Sequence, residues 1–326
     1  MSAPSAGRIG VMLPRDLPAT QVLEFARRAD ALGFDELWVV EDLGFRGGIA
    51  QASAVLAATE RIVVGIGILP AGARNAAFSA MEIATLAQLF PGRIIAGIGH
   101  GMPSFMRAAG AWPKSPLTLL GEYTTAVATL LRGEPGPAAG RYVDVADVVL
   151  EEVPDAAPPI LLGVRGPKSL TLAGRVSDGA LLAEPSTPEY IAASLAFVRS
   201  EAPARARAEI TTYDVAVVAE NEAAALAQVR PALAWFGEPD WAPHLVGQPF
   251  AEDFARHRAA SASREEFAAT IPDEWVAELS LAGTADQVRA RIAARHRAGA
   301  VSVVLTPVGA DRLGELDRLA AVLPTR

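Results

Sequence analysis

Arg93-Ile94-Ile95-Ala96-Gly97-Ile98-Gly99-His100-Gly101-Met102-Pro103 is an apolar run that breaks into a glycine string. Strands buried on both faces read as continuous apolar runs rather than alternating ones. The segment therefore predicts a strand over Arg93 to Ile98 that ends in a turn. Seven more such runs lie on either side: Ile9 to Leu13, Glu36 to Val40, Ile62 to Leu69, Ile160 to Val164, Ala180 to Ala183, Thr212 to Val218 and Val301 to Thr306.

Helical patterns separate them. Leu17 to Leu32 is closed by Gly33, Ala76 to Phe90 by Pro91-Gly92, and Asp286 to Arg297 by Gly299, with Thr284 as its candidate cap. Glycine suits the position after a helix because it accepts the left-handed conformation there. Ser115 precedes Pro116 at the head of a helix running to Leu131, so it is expected to cap that helix. Eight strand–helix units in order predict an α/β fold, a (β/α)8 TIM barrel with insertions. Seven units would give an open, doubly wound sheet. In a barrel the chemistry sits at the C-terminal ends of the strands.

Two stretches break the repeat. Tyr142 to Val153 alternates polar and apolar residues and predicts an extra hairpin. Phe236 to Trp275 is too long for a connection and is rich in aromatics, among them Trp241, Phe250, Phe254, Phe267 and Trp275, with His244 and His257. A connection of that length is often functional; packing onto the barrel or onto a second subunit explains the aromatics equally well. The whole chain, 1–326, is read as one barrel domain with an insertion at about 236–275.

Composition narrows the class. The 326 residues are 51% hydrophobic and carry a net charge of −8, which disfavours a nucleic-acid surface. With no cysteine, thiolate catalysis is excluded, and a reducing, cytoplasmic compartment fits. Met1 to Gly7 carries no apolar signal segment, and no apolar run reaches membrane-spanning length. The four histidines are scattered without ligand spacing, so a metal centre is not expected. The two lysines, Lys114 before a helix and Lys168 inside one, leave no strand-end lysine for Schiff-base chemistry.

The strand ends supply the candidate residues. Gly97, Gly99 and Gly101 cannot be a Rossmann fingerprint, because they lie far into the chain and no acidic strand end follows at the needed distance. Close approach of backbone to a flat ring or a phosphate explains them better. His100, the only histidine at a strand end, is either a donor to a ligand or a loop residue. Gly166-Pro167-Lys168-Ser169 opens a helix, whose free amides and dipole favour an anion, with charge from Arg165 and Lys168; an ordinary helix start with Pro167 at its first position is the plainer reading. Glu41 and Asp42 end the second strand as paired carboxylates able to do acid–base work. Arg46 and Arg74 are either ligand contacts or solvated. Trp38 lies inside its strand and is expected in the core.

Taken together, Leu37-Trp-Val-Val-Glu-Asp42, Gly65-Ile-Gly-Ile-Leu-Pro70, Phe90-Pro-Gly-Arg-Ile-Ile-Ala-Gly-Ile-Gly-His-Gly101, Gly163-Val-Arg-Gly-Pro167, Ala173-Gly-Arg-Val-Ser-Asp-Gly179, and Leu281-Ala-Gly-Thr284 with Ala298-Gly-Ala300 resemble the bacterial luciferase-like monooxygenase superfamily. Within it they are similar to the branch that uses coenzyme F420, an 8-hydroxy-5-deazaflavin. The resemblance covers nearly the whole chain except Phe236 to Trp275. It implies hydride transfer between the deazaflavin and a small organic substrate, and a homodimer. It also implies a bulge in the third strand with a cis non-prolyl peptide at Gly67-Ile68, so that Gly67, Ile68 and Leu69 back the ring; without a ligand, Gly65 and Gly67 would simply let the strand bend. The glycines at 97, 99 and 101 with His100 would line the ring. Gly163, Val164, Arg165, Gly166 and Lys168 would hold the phosphate of the coenzyme, and Glu41 or Asp42 would polarise the substrate or ring edge. Two departures stand out. Many relatives have glycine where this chain has Arg165, and histidine where it has Asp42. An FMN-dependent monooxygenase with a separate reductase, and a non-catalytic flavin-binding barrel, are the alternatives.

Overall fold

The eight apolar runs become strands within one residue of their expected ends, apart from one that begins three residues early. They are β1 (Arg8–Met12), β2 (Glu36–Val39), β3 (Val63–Pro70), β4 (Ile94–Gly99), β5 (Ile160–Gly163), β6 (Gly179–Leu182), β7 (Glu209–Val218) and, after a short additional strand β8 (Leu281–Gly283), β9 (Ser302–Pro307). These come from a computed structural model that describes residues 7–203 and 207–324. Every pairing is parallel. The ring runs β1 to β6 in order, then β7 and β9, and closes where β9 pairs β1 in the register Ile9↔Val303. This is the eight-stranded barrel expected from the sequence.

The early start of β7 has a topological cause. Its first residues, Glu209 to Thr212, pair with β6, whereas Ala216 to Val218 pair with β8. A strand that serves two neighbours in succession must be longer than the rest.

Two of the helices are set by their ends. Val22–Leu32 stops at Gly33, φ 101°, and Ala285–Ala298 stops at Gly299, φ 116°. The second also starts in a capping box between Thr284 and Gln287. Ser115 departs from expectation. Its hydroxyl pairs with that of Thr118 at 2.8 Å and makes no cap to a helix amide.

The hairpin expected over Tyr142 to Val153 does not form; no strand occurs there. The amides of Arg141, Tyr142 and Val143 all donate to the Glu122 carboxylate. Val145 is buried, and Val143, Val148 and Leu150 pack on the barrel's outer core. The alternation records one face laid against helices, not a strand pair.

Three apolar clusters result. The outer core lies between strands and helices. A smaller one fills the barrel itself: Trp38, Ile95, Leu161, Leu181, Tyr213 and Val304, with Ile68 packed against them. Trp38 is fully buried, as expected, and its indole N–H donates to Glu36 at 2.7 Å. The third joins Val215 and Val217 of β7 to Leu233, Phe236, Phe254, Phe267 and Val276. The stretch 236–275 thus folds into short helical pieces, among them Ala251–Ala260 and Arg264–Thr270, around its own aromatic core. No helix among the described residues is long and apolar enough to cross a membrane.

Candidate active site

The register between β3 and β4 jumps from Ile66↔Ala96 to Leu69↔Ile98, so Gly67 and Ile68 form a bulge. The peptide joining them is cis, and both residues keep an edge open to the barrel mouth. Leu69 is 1% exposed and anchors the strand beyond.

The glycines around the bulge are explained by it. A Cβ on Gly97 would lie 2.2 Å from the Ile66 carbonyl oxygen. On Gly99 it would lie 3.0 Å from Ile68 Cγ1, and on Gly163 it would lie 2.5 Å from Ile68 Cγ2. Ile68 therefore lies across the ends of β4 and β5, and those strands need glycine to admit it. The sequence pointed to close approach by a ligand, but the close neighbour is the protein's own bulge. Gly101 has φ 72°, where a side chain would be strained, and turns the chain toward Met106. Met106 is buried.

The carboxylates that end β2 are already engaged. Glu41 is clasped by both terminal nitrogens of Arg74, at 2.5 and 2.7 Å, and accepts from the Gly48 amide at 2.6 Å. Asp42 accepts from Arg15 at 2.7 Å, and that guanidinium stacks on Phe45. Each carboxylate is matched to its own arginine instead of to the other. Arg46 donates to the carbonyls of Pro14 and Leu17 and to Gln51, so it ties loops together. Neither Arg46 nor Arg74 is a free cation. Next to Arg74 a cavity of about 360 Å³ opens beyond β3, walled by Ala71, Trp112, Tyr123 and Tyr142.

His100 is half-buried just past β4. Burial pushes its pKa below the ordinary value, against the opposing pull of the Pro116 carbonyl. At this pKa the imidazole is neutral near pH 7.

The turn after β5 meets the insertion. Arg165 donates to the Asp240 carbonyl at 3.0 Å, and its guanidinium lies 5.0 Å from the centre of the Trp241 ring. The Tyr190 hydroxyl donates to the Arg165 carbonyl at 2.9 Å. The Trp241 indole N–H donates to the carbonyl of Glu184 at 3.1 Å, and His244 Nδ1 lies 3.2 Å from that of Pro185. Gln248 donates to Thr187 and Glu189. The segment 239–248 is therefore fixed to the β5 and β6 ends as a wall of the mouth. Val164 is buried at 6%, Lys168 is exposed, and Gly166 caps the helix Pro167–Val176 with open space where a Cβ would stand.

Two residues of the mouth are not evident in the sequence. Tyr213 sits inside the barrel at 5% exposure, and its hydroxyl has no hydrogen-bond partner among the described residues. It lies beneath the bulge: a Cβ on Gly67 would stand 1.9 Å from it. Glu184 follows β6 and precedes Pro185 through a second cis peptide bond. Burial raises the Glu184 carboxyl above the usual carboxylate range, and Asp214 adds to the shift, while its own amide, Arg165 and Arg15 oppose it. The only sequence signal was a Glu-Pro step at a strand end. Tyr213 read as one more member of a buried run.

Comparison with known proteins gives a consistent result. The family model described as luciferase-like monooxygenase matches residues 4–302. A 5,10-methylenetetrahydromethanopterin reductase of Methanolobus tindarius is 26% identical over 310 residues, 92% of this chain and 94% of that protein. An F420-dependent glucose-6-phosphate dehydrogenase of Microbacterium testaceum is 30% identical over 181 residues, 52% of this chain and 54% of that protein. The solved structure of the coenzyme F420 dependent tetrahydromethanopterin reductase from Methanopyrus kandleri superposes with a TM-score of 0.82 at 20% identity, over 97% of this chain and 98% of that one.

Proposed function

Because this chain belongs to the luciferase-like monooxygenase family, we propose that it is an oxidoreductase that binds coenzyme F420 at the barrel mouth and passes hydride between the deazaflavin and a small organic substrate. The observation that carries this is the near full-length match to a reductase of the F420-using group. Coenzyme F420, when bound, supplies hydride at carbon. The protein supplies orientation, a substrate face and exclusion of water.

The mouth fits a flat ring. The bulge offers Gly67 and Ile68 as an apolar shelf, with Leu69 buried behind it. Gly97, Gly99 and Gly163 seat Ile68, so they act on the ring through the shelf. Gly101 and His100 line the neighbouring edge. The first-turn amides at Gly166 and Lys168, next to Val164, suit the anionic tail. Arg165 acts there as a tether of the insertion as well as a charge. Asp42, held by Arg15, orients polar groups at the mouth, and Glu41 serves by fixing Arg74 and the helix Gly48–Ala58.

In this reading 1–326 is one barrel domain, with 236–275 as an inserted wall, in a cytoplasmic enzyme acting on a small molecule without nucleic acid or membrane. A homodimer is part of the proposal. Phe78, Met81 and Leu89 on the helix Ala76–Leu89 are 64%, 48% and 67% exposed, an apolar face that a second copy would cover.

Titration of the apoprotein with coenzyme F420 and separately with FMN, followed by tryptophan fluorescence, tests the cofactor. Tight binding of the deazaflavin alone is expected. Preference for FMN would move the function to oxygen chemistry, and binding of neither would remove the cofactor assignment.

A further inference from the structure

Hydride transfer to a carbonyl or imine leaves a negative heteroatom that has to take a proton, and the reverse reaction has to remove one. The mouth must therefore hold a group that exchanges protons. The carboxyls at its rim can be taken in turn. Glu41 is closed by three hydrogen bonds from Arg74 and Gly48. Asp42 is bound to Arg15. Asp214 points away from the barrel interior, accepting from Arg295, Thr212 and the Ser186 amide. Glu184 alone among these carboxyls has no arginine at ion-pair distance among the described residues. It accepts from its own amide, while its carbonyl is taken by Trp241. The residue is partly exposed, just past the C-terminal end of β6.

Burial raises the Tyr213 hydroxyl well above its ordinary value, and the carboxylates Glu184, Glu36 and Asp42 add to the shift. The hydroxyl is buried, unpartnered and directly under the bulge that forms the ring shelf. Such a hydroxyl is costly to leave unsatisfied unless a ligand or a neighbouring acid completes it.

We propose that Glu184 is the proton-exchanging residue of this site. The proposal rests on the hydride-transfer reading above. In the reducing direction, the C–H bond of the reduced deazaflavin breaks and its electron pair forms a new C–H bond on the substrate carbon. The C=O or C=N π pair moves onto the heteroatom, which takes the proton from the Glu184 carboxyl. The coenzyme ends oxidised, the substrate reduced and Glu184 ionised, to be reprotonated from solvent.

The charged and titratable groups around Glu184 are Arg15 after β1, Arg165 after β5, Tyr213 and Asp214 on β7, and His244 of the insertion beside Pro185. Burial raises the carboxyl and so favours its protonated form relative to an ordinary glutamate. Transfer in the reducing direction therefore falls as pH rises through that raised value.

The test uses the full chain and its Glu184→Gln and Tyr213→Phe variants. Infrared spectra of the apoprotein report the un-ionised carboxyl. Fluorescence titration reports affinity for oxidised coenzyme F420. Rapid mixing of enzyme carrying reduced coenzyme with a panel of small aldehydes, ketones and cyclic imines reports hydride transfer. The wild type is expected to keep an un-ionised carboxyl band at pH above the ordinary carboxylate range, one that Glu184→Gln lacks. That variant should bind the coenzyme within threefold of wild type, transfer hydride roughly 10²–10⁴-fold more slowly, and lose the alkaline fall. Tyr213→Phe, which leaves the carboxyl in place, should keep the band. Glu184→Gln transferring at the wild-type rate with the wild-type pH profile would overturn the proposal, as would absence of the band from the wild type. If the wild type fails to bind the coenzyme, it is the function above that falls. If no panel compound reacts, the infrared band decides.

Discussion

The hydroxyl of Tyr213 stands where a side chain on Gly67 would begin: a Cβ built there lies 1.9 Å from Oη and 2.8 Å from Leu181 Cδ2. The strand that shapes the mouth and the strand across the barrel thus meet with no space for a methyl group. Gly67→Ala should destabilise the fold by about 1–3 kcal/mol through overpacking and weaken coenzyme binding at least tenfold. Pairing it with Tyr213→Phe should recover part of the stability, because the nearest clash is removed. Thermal melts of the two variants check this.

The same logic separates shelf from slot at β5. Gly163→Ala puts a methyl group 2.5 Å from Ile68 Cγ2, so Ile68 has to leave its seat. Coenzyme affinity should fall about tenfold. In a Gly163→Ala, Ile68→Ala double variant the clash disappears, and the two effects should be less than additive. If Gly163 touched the ligand directly, the losses would add. Four binding constants decide between the two.

The insertion carries its own pH dependence. His244 is fully buried, and its pKa is pushed down to about 3, first by burial and then by Arg165 nearby. A histidine lowered in the folded state binds its proton only on unfolding, so stability is lost as pH falls from the unfolded value near 6.5 toward 3. At pH 5 the loss is about 2 kcal/mol. Hydrogen-exchange protection factors in 239–248, corrected for the intrinsic rate at each pH, should fall between pH 6.5 and 5 in the wild type and stay level in His244→Gln.

Behind the mouth, Arg295 and Asp214 form an ion pair at 3.0 Å with side chains 3% and 0% exposed. Breaking such a pair from one side leaves a buried charge, so Arg295→Leu should cost about 3–5 kcal/mol. Arg295→Leu with Asp214→Leu should cost markedly less. Denaturant unfolding of the single and double variants measures both.

Strand positions were legible because each buried run speaks for itself over a few residues, as Ile94–Gly99 does. What escaped depended on partners remote in sequence. Glu41 and Arg74 lie 33 residues apart, and nothing local marks them as a pair. Arg165 and Asp240 are 75 apart, so the turn after β5 read as an anion site before it read as a tether. The alternation over Tyr142–Val153 misled for a related reason. Period two reports a one-sided environment, and the Glu122 carboxylate supplies the hydrogen bonds that a second strand would have supplied. The three residues of β8 carry too little pattern to stand out, and they pair only because β7 outruns β6.

The wall contributed by 239–248 hangs largely from main-chain oxygens, those of Glu184 and Pro185, while Asp240 lends its own to Arg165. A scaffold held this way is indifferent to which side chain follows β6. The reactive group at 184 can be exchanged while the wall stays in place, so this corner of the barrel can change its chemistry by single substitutions without first surrendering its shape.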